Sequence, residues 1–280
     1  MSNQKWDKVI QPKKGWFSLD VGELFRHKDL LFLFFKRDVI AVYKQTVLGP
    51  IWFFVQPILT SLVFTLIFGK MARLSTDGVP AFLFYLTGMT IWNYFASVVN
   101  NNANVFGVNQ TVFGKVYFPR LLVPLSNILA NLFKLSLQLL IFLGVWIYYV
   151  IAGQVEPNAY AWLLPLNLMA TSFVGLGIGL ILSSFTVKYR DLVFLVGFGV
   201  QLLMYGSSII FPLSMVTGKL RYILQLNPMT NIIESTKLGF LGNGIASPGY
   251  MLYTYIISIL ILFVGMLLFN RREGNFIDSV

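Results

Sequence analysis

The stretch KRDVIAVYKQTVLGPIWFFVQP, residues 36–57, decides how the rest of the chain is organised. Its first half is charged and amphipathic, and a Leu-Gly-Pro break joins it to a long apolar run. The chain before this stretch is mostly polar and basic, whereas the chain after it is a series of apolar runs of membrane length. We therefore predict that the chain enters a lipid bilayer here.

Composition places the chain among membrane proteins with several spans. Hydrophobic residues make up 56% of its 280 residues and charged residues only 11%, whereas a soluble domain carries about 25% charged residues. The sequence has no cysteine and a single histidine, His27, which excludes disulfides and thiolate metal sites and removes most triad chemistry. It has neither GxxxxGK[ST] nor GxGxxG, so any ATP-driven work would depend on another chain. We predict no catalytic residue and no metal site.

Six apolar runs are long enough to cross the hydrocarbon, for which about 20 residues are needed. They are residues 51–69, 81–99, 122–152, 161–185, 192–211 and 250–269. With the N-terminus inside, fifteen of the 21 lysines and arginines fall in inside segments and five in outside loops, so both termini are predicted to face the cytosol. The resulting regions are a cytosolic tail (1–24), an interface helix with a Leu-Gly loop (25–49), a transmembrane domain (50–270) and a second cytosolic tail (271–280).

Residues 25–48, ahead of the first span, predict a basic amphipathic helix. Charged residues that include Arg37 and Lys44 fall on one side of the helical wheel, and apolar residues that include Phe32 and Phe35 fall on the other. A helix of this kind lies in the headgroup plane rather than crossing the membrane. Packing on a soluble partner is the alternative that the pattern leaves open.

The region between the last two spans, residues 211–248, is apolar but broken by glycine and proline. It has helical spacing on either side of Asn227-Pro228, in two pieces that are each too short to span. Two re-entrant half-helices at the outer surface fit this pattern, because non-helical backbone at membrane depth is tolerated only inside a protein or cavity. Glu234 would then lie at the outer mouth.

The predicted spans contain no internal Asp or Glu, but they and their ends carry many aromatic and neutral polar residues. Ion-coupled carriers place charged or polar sites at mid-membrane, so this composition favours a wide, uncharged path over an ion relay. It also argues against an integral-membrane enzyme, which would need carboxylates, His or Cys at membrane depth. The alternative is that the aromatic side chains only mark the membrane interfaces, where they cluster without any ligand.

Two predicted cytosolic loops have patterns suited to a partner protein. FGKVYFPR, residues 113–120, places two basic residues around an apolar centre, which is typical of a short helix that fills a partner's groove. KYRD, residues 188–191, forms a tight charged turn, for which positive-inside anchoring is an equal alternative.

Four features in order along the chain resemble those of the permease subunit of ABC-2 type exporters, in particular the Wzm-like exporters of O-antigen, capsular polysaccharide or teichoic acid. They are RDVIAVYKQTVLGPIWFFVQP (37–57), KVYFPR (115–120), KYRD (188–191), and LNPMT (226–230) together with the tail RREGNFIDSV (271–280). Each is weak alone, but together on a six-span pattern they are specific. Ala41 stands where relatives often have a basic residue, and Pro50 follows the Leu-Gly pair, so the break departs from the family pattern.

The resemblance implies an all-α, polytopic membrane protein of the ABC-2 or type V exporter fold. Its parts would be six transmembrane helices, an N-terminal amphipathic interface helix and two short re-entrant helices between spans 5 and 6. The implied assembly is a homodimer with two copies of a separate ATPase, which binds ATP and Mg, while this chain binds no cofactor and no nucleic acid. The implied substrate is an undecaprenyl-linked glycan of the O-antigen type, exported across the bacterial inner (cytoplasmic) membrane. A teichoic acid, a lipid or a hydrophobic drug is the alternative cargo.

The resemblance also implies roles for individual residues. The cytosolic substrate entrance would comprise Arg37, Tyr43, Lys44, Leu48 and Gly49, with its basic side facing a pyrophosphate head group or anionic membrane lipids. The channel lining would comprise Trp52, Tyr85, Trp92, Tyr94 and Phe95, because neutral sugars stack on aromatic faces. Contacts with the ATPase would come from Lys115, Tyr117, Arg120 and Arg190. The outer gate would comprise Asn227, Pro228 and Glu234.

Overall fold

The computed structural model describes residues 21–44, 51–113, 118–186 and 188–277, and these residues form helices and turns without a β-strand. Their α-helices are α1 (Val21–Arg26), α2 (Lys28–Lys44), α3 (Ile51–Phe64), α4 (Ala81–Ala103), α5 (Val105–Val108), α6 (Gln110–Phe113), α7 (Leu122–Ile151), α8 (Leu164–Thr186), α9 (Leu192–Tyr205), α10 (Gly218–Leu226), α11 (Pro228–Leu241) and α12 (Pro248–Ile277). A π-helical segment, Thr65–Met71, continues α3, and 3-10 turns at Ala159–Leu163 and Leu213–Met215 precede α8 and α10. The predicted all-α class is confirmed for the described residues.

Five helical stretches in these ranges are long and apolar enough to cross a membrane. They are Ile51–Met71, Ala81–Ala103, Leu122–Ile151, Ala159–Thr186 and Pro248–Arg271. Each overlaps one of the spans predicted from the sequence, which confirms a membrane protein with several spans. The longest, α7, has 30 residues and reaches about 45 Å, more than the hydrocarbon thickness of about 30 Å.

The predicted span at residues 192–211 is shorter in the structure than in the prediction. Its helix, α9, ends at Tyr205 after 14 residues, which corresponds to about 21 Å against a hydrocarbon thickness of about 30 Å. The chain then turns at Gly206, and Ser208 adopts a left-handed backbone conformation with a φ of 55°. Because that conformation cannot continue a right-handed helix, the apolar residues that follow are not part of α9.

The spans pack around α4, most of whose residues are buried, and glycines in α8 make this packing possible. An added Cβ at Gly177 would lie 2.6 Å from the backbone of Ile261 in α12, and one at Gly179 would lie 2.6 Å from Asn102 in α4. Gly265 of α12 is equally close, since its Cβ would lie 2.5 Å from the Gly177 carbonyl oxygen. Small residues let membrane helices approach closely and gain van der Waals contact. The sequence of α8 therefore sets how near it lies to both neighbours.

The amphipathic helix predicted at residues 25–48 is present as α1 and α2, and α2 packs on α7 of the same chain. Phe34 anchors it, since this side chain is 4% exposed and its ring centroid lies 5.4 Å from that of Phe118. Phe32 and Leu33 are instead 61% and 60% exposed. The buried face is thus shifted from the predicted one, because the loop that carries Phe118 selects which apolar side chains are covered. The exposed pair remains available to lipid.

Two short helices, α10 and α11, occupy the region that was predicted to contain half-helices. They have nine and 14 residues, and the break between them falls at Asn227-Pro228 as predicted. The Asn227 side chain caps α11 by accepting a hydrogen bond from the Met229 amide at 3.0 Å. Proline suits the first turn of a helix because no N–H is needed there. α11 is almost wholly buried, whereas α10 exposes apolar side chains such as Tyr222 and Ile223.

Candidate functional site

A buried ion pair lies on one side of α11. Glu234 and Lys237 are each 1% exposed, and Lys237 Nζ lies 3.6 Å from Glu234 Oε1. The two residues are three positions apart, so one helix presents both charges on the same face. A charge taken out of water is tolerated only when it is paired and hydrogen-bonded. The residues that bond to this pair therefore identify the segments of the chain that the pair connects.

Glu234 is bonded to two connecting segments. Its Oε1 accepts a 2.5 Å hydrogen bond from the hydroxyl of Ser208, in the turn after α9. Its Oε2 accepts a 3.0 Å hydrogen bond from the backbone amide of Ile245, in the loop before α12. That loop approaches α11 closely, since a Cβ added at Gly244 would lie 2.6 Å from the Glu234 carbonyl oxygen. One carboxylate therefore links α11 to both of its flanking connections.

Lys237 completes the ion pair's surroundings from the other side. Its Nζ donates to the Ser208 carbonyl oxygen at 2.6 Å and lies 3.6 Å from the ring centroid of Phe84 at the start of α4. Burial lowers the pKa of Lys237, and the charge of Glu234 acts in the opposite direction. The ion pair and the cation–π contact both favour the protonated ammonium.

A second polar link surrounds Asp77, in the loop before α4. The Ser214 hydroxyl donates to the Asp77 carboxylate at 2.8 and 2.7 Å, and Asn243 Nδ2 donates to the Asp77 carbonyl oxygen at 2.8 Å. These bonds join three loops at the same side of the protomer as the ion pair. We use the name α11 cluster for Asp77, Ser208, Ser214, Glu234 and Lys237.

Of the three residues predicted for an outer gate, Glu234 belongs to this cluster, and Asn227 and Pro228 lie at the start of the same helix. Asn227 Nδ2 donates to Ser207 Oγ at 2.9 Å and to the Gly206 carbonyl oxygen at 3.2 Å, so it ties the start of α11 to the end of α9. Pro228 begins α11. Glu234 is enclosed by its partners on α11, and its place at the outer mouth stays a prediction. A gate role for these residues stays a prediction.

Polar side chains also fix α11 to two spans. Asn167 of α8 donates to Ser235 at 2.9 Å and accepts from Tyr255 of α12 at 3.0 Å. Asn231 of α11 donates to Thr254 of α12 at 3.0 Å. In a low-dielectric interior, satisfied hydrogen bonds are strong and hold a packing arrangement in place. α11 is therefore held against the spans rather than lying loosely over them.

The five aromatic residues predicted to line a channel do not share one environment. Trp52 is 49% exposed at the start of α3, whereas exposure is 0–3% for Tyr85, Trp92, Tyr94 and Phe95. The Tyr94 hydroxyl bonds to that of Ser172 at 2.6 Å, and the Tyr85 hydroxyl donates to a backbone carbonyl at 3.3 Å. An enclosed side chain cannot stack on a sugar without a rearrangement of its neighbours, so a lining role for these four stays a prediction that requires such a rearrangement. It remains a prediction for Trp52.

The structure describes the side chains of Arg37 and Lys44 from the predicted substrate entrance. The Arg37 guanidinium is held in place, because it donates to Asp38 at 2.8 Å and to Asn109 at 3.2 Å and lies 4.9 Å from the Phe34 ring centroid. Lys44 is exposed at the end of α2. Outside the described side chains lie Tyr43, Leu48 and Gly49. The entrance as a whole stays a prediction.

The predicted ATPase contacts are only partly within the described residues, since Lys115 and Tyr117 lie outside them. Arg120 is 6% exposed, and its guanidinium lies 5.7 Å from the ring centroid of Phe113. A buried guanidinium positions the loop that carries it, and direct contact of Arg120 with the ATPase stays a prediction. Arg190 is exposed in the turn before α9.

Sequence reasoning missed Lys237 and Ser208 and considered Glu234 alone. The Glu-x-x-Lys spacing within a helix was a usable signal for an ion pair. Its burial could not be read from that spacing, because Ser208 and Ile245 come from segments 26 and 11 residues away in the chain.

Fold and site together define a helical membrane protein with several spans and a buried ionic cluster at one side. Within the described residues, no group of three or more His, Cys, Asp or Glu is placed to hold a metal ion. The chain belongs to the family of ABC-2 type transporters, whose model matches residues 29–241. The family inferred from the four sequence features is therefore confirmed.

Named relatives match over nearly their whole length. The chain is 28% identical over 260 residues to the O-antigen export system permease protein RfbA of Klebsiella pneumoniae, covering 92% of this chain and 96% of that protein. It is 27% identical over 264 residues to the RfbA of Myxococcus xanthus, covering 93% and 98%. It is 23% identical over 249 residues to the polysialic acid transport protein KpsM of Escherichia coli, covering 88% and 94%.

Proposed function

We propose that the chain is the membrane-spanning permease subunit of an ABC exporter for a lipid-linked polysaccharide of the O-antigen type. The observation that carries this is the similarity, over almost the full length of both proteins, to permeases named for O-antigen export. Membership of the ABC-2 family and the absence of a nucleotide motif from the sequence support a separate ATPase partner. The permease then has no active site or cofactor of its own, and ATP and Mg are bound by the partner.

In this proposal the transmembrane domain has six spans, and α9 is part of the fifth. α9 alone is too short to cross, but residues 207–210, which follow it, are buried. Non-helical backbone is tolerated at membrane depth when protein covers it, so this buried turn completes the crossing. α10 and α11 then re-enter at the outer face, and both termini lie in the cytosol at the bacterial inner membrane.

The permease acts as a homodimer, and the surface of α9 supports this. α9 contacts the rest of the protomer through a narrow stripe of buried residues, Val196, Val200 and Met204. Phe194 and Phe198, on the opposite side, are 82% and 60% exposed. A span attached by one narrow stripe leaves a wide apolar face for a second copy, with the transport path between the protomers.

Two copies of the ATPase bind at the cytosolic side through the loop of residues 113–120. Lys115 and Tyr117 are the direct contacts, and Arg120 holds the loop by packing on Phe113. ATP binding closes the ATPase dimer, and the loop passes this motion to α7, which begins two residues after Arg120. Because α2 packs on α7, the same motion reaches the entrance near Arg37 and Lys44, where the pyrophosphate of the undecaprenyl carrier binds.

The α11 cluster closes the outer end of the path. Glu234 and Lys237 lie on one helix, so movement of α11 breaks the bonds to Ser208, Ile245 and Phe84 without separating the two charges. The pair gains hydration as it is exposed, which offsets part of the lost contacts. Neutral sugars bind weakly through stacking and hydrogen bonds, and the exposed pair has no net charge, so a polymer can advance past it without being trapped.

Reconstitution with the ATPase in liposomes tests this function. We expect an undecaprenyl-linked glycan to stimulate ATP hydrolysis and to become protected inside the liposome, where an added glycosidase cannot reach it. An ATPase variant that binds but does not hydrolyse ATP is the control and gives no protected glycan. Stimulation by small hydrophobic compounds and none by the glycolipid would contradict a polysaccharide cargo and favour a lipid or drug.

A further inference from the structure

A groove beside α9 has the character of a lipid-chain site. It has a volume of about 310 Å³ and is bounded by α4, α8 and α9. We name it the α9 groove; its residues include Ile178, Leu182, Leu195, Gly199 and Leu203, and its surface is almost wholly apolar. The α9 residues that line it run from Leu192 to Leu203, a length of about 16 Å along a helix. That is close to half of the hydrocarbon thickness of about 30 Å, which is one leaflet.

A second cavity adjoins the groove at the end where the chain leaves the membrane. This Arg190 cavity has a volume of about 350 Å³, and its surface is much more polar; its residues include Asn104, Gln110, Thr186, Arg190 and Val193. Thr186, the last residue of α8, lines both cavities. An apolar groove one leaflet long therefore ends beside a polar cavity at the membrane boundary.

Arg190 supplies a positive charge to this boundary. It is exposed, and among the described residues its guanidinium makes no hydrogen bond or ion pair. Asp191, the nearest acidic residue in the chain, does not line the cavity. A guanidinium matches the oxygen geometry of a phosphate, and the amides of Asn104 and Gln110 provide further donors in the same cavity. Basic pockets between membrane helices bind anionic lipid head groups in this way.

We propose that the two cavities form a binding site for an anionic phospholipid, with one acyl chain in the α9 groove and the phosphate at Arg190. The length of the groove favours an acyl chain over the undecaprenyl carrier, whose eleven isoprene units extend far beyond one leaflet. A second copy is expected on the face of α9 that carries Phe198, which does not line the groove. The lipid fills the space beside a span that the protomer holds by one narrow stripe, and Arg190 is thereby a lipid contact rather than an ATPase contact.

Native mass spectrometry of the detergent-purified chain tests the site with phosphatidylglycerol and phosphatidylethanolamine of identical acyl chains. We expect phosphatidylglycerol to bind about tenfold more tightly, because the ammonium of phosphatidylethanolamine neutralises the head group and is repelled by the Arg190 guanidinium, and we expect Arg190→Gln to remove this preference. Gly199→Leu fills the groove and weakens binding of both lipids. Gly197→Leu is the matched control, because a Cβ there also meets open space but the residue does not line the groove. It leaves both affinities unchanged.

Several results overturn the site. They are equal binding of the two lipids by the wild type, or phosphatidylglycerol binding that survives both Arg190→Gln and Gly199→Leu. Displacement by undecaprenyl phosphate at a lower concentration than phosphatidylglycerol needs would assign the groove to the carrier. Loss of dimers in Gly199→Leu with unchanged lipid binding would assign it to a second copy. If Arg190→Gln loses ATPase binding but keeps the preference for phosphatidylglycerol, Arg190 is an ATPase contact and not a lipid contact. None of these readouts depends on which cargo is exported.

Discussion

Lys237 Nζ and Glu234 Oε1 lie 3.6 Å apart inside the protomer, where each side chain is 1% exposed. This pair differs from a surface salt bridge because its remaining bonds reach three other parts of the chain, at Ser208, Ile245 and Phe84. Breaking a buried pair by removing one partner leaves the other charge without compensation. The position of α11 therefore depends on the presence of both residues.

Replacing Lys237 alone should destabilise the permease strongly. In Lys237→Met the Glu234 carboxylate stays buried without its cation, for which about 3–5 kcal/mol is the usual cost. The double variant Glu234→Gln with Lys237→Met should recover much of this loss, because no unpaired charge remains. The measurement is thermal unfolding of the detergent-purified protein.

Lys219→Met, in the exposed part of α10, is the control for the loss of one lysine and should leave unfolding unchanged. If the α11 cluster is the outer gate, the double variant folds but exports less glycan than the wild type. If the single and double variants are destabilised equally, the loss is not caused by an unpaired buried charge. If the double variant exports glycan at the wild-type level, the α11 cluster is not the outer gate.

A methyl group at Gly177 should loosen the packing of α8 on α12. Its Cβ would lie 2.6 Å from the Ile261 backbone, and backbone cannot move aside as a flexible side chain can. We expect Gly177→Ala to lower the free energy of unfolding by about 1–3 kcal/mol, measured by chemical or thermal unfolding. Gly144→Ala in α7, where a Cβ meets open space, should be neutral or raise it by up to about 1 kcal/mol. Similar losses from both changes would mean that helix propensity, not close approach, is being measured.

The two tryptophans predicted to line the channel should respond differently to truncation. Trp92 is 3% exposed and packs on Phe95 with ring centroids 5.0 Å apart, so Trp92→Ala should cost about 3–5 kcal/mol of stability. Trp52 is 49% exposed, so Trp52→Ala should change stability by less than about 0.5 kcal/mol. Glycan transfer per folded protein should fall several-fold in Trp52→Ala alone. Unchanged transfer in that variant would contradict a lining role for Trp52.

Gly49 should be needed for transport but not for insertion. Glycine adopts backbone angles that β-branched residues do not, and the Leu-Gly-Pro break joins the amphipathic helix to the first span. We expect Gly49→Val to insert at the wild-type level, measured in membrane fractions, and to export less glycan. Gly144→Val, at an open position in α7, is the control and should export normally. If Gly49→Val exports glycan at the wild-type level, the Leu-Gly-Pro break serves only to anchor the chain in the membrane.

The sequence predicted the spans well where they are long and unbroken. Apolar runs of about 20 residues cross a membrane as helices because backbone groups in lipid must be bonded within the segment. The limits of α4, α7 and α8 therefore lie within a few residues of the prediction. The end of α9 was missed, since Ser208 leaves the helical conformation within an apolar run, where hydropathy gives no signal.

Individual site residues were harder to place than spans. An aromatic residue in an apolar run can face lipid, a path or the core, and its position in the run does not distinguish them. Trp52 and Trp92 illustrate this, because they have the same side chain and opposite exposure. Likewise, the pattern KVYFPR predicts that Arg120 is a surface charge, but in the structure this side chain is buried against Phe113.

The sequence by itself determined the all-helical membrane class, the family and the break at Asn227-Pro228, because length, hydropathy and capping are local properties of the chain. Only the tertiary structure decided that Glu234 and Lys237 are buried together, that Arg37 is held by Asn109, and that α9 is attached by a narrow stripe. The physical reason is the same in each case. Burial and pairing depend on which distant segments meet, and segments far apart in the chain meet only once the spans have packed.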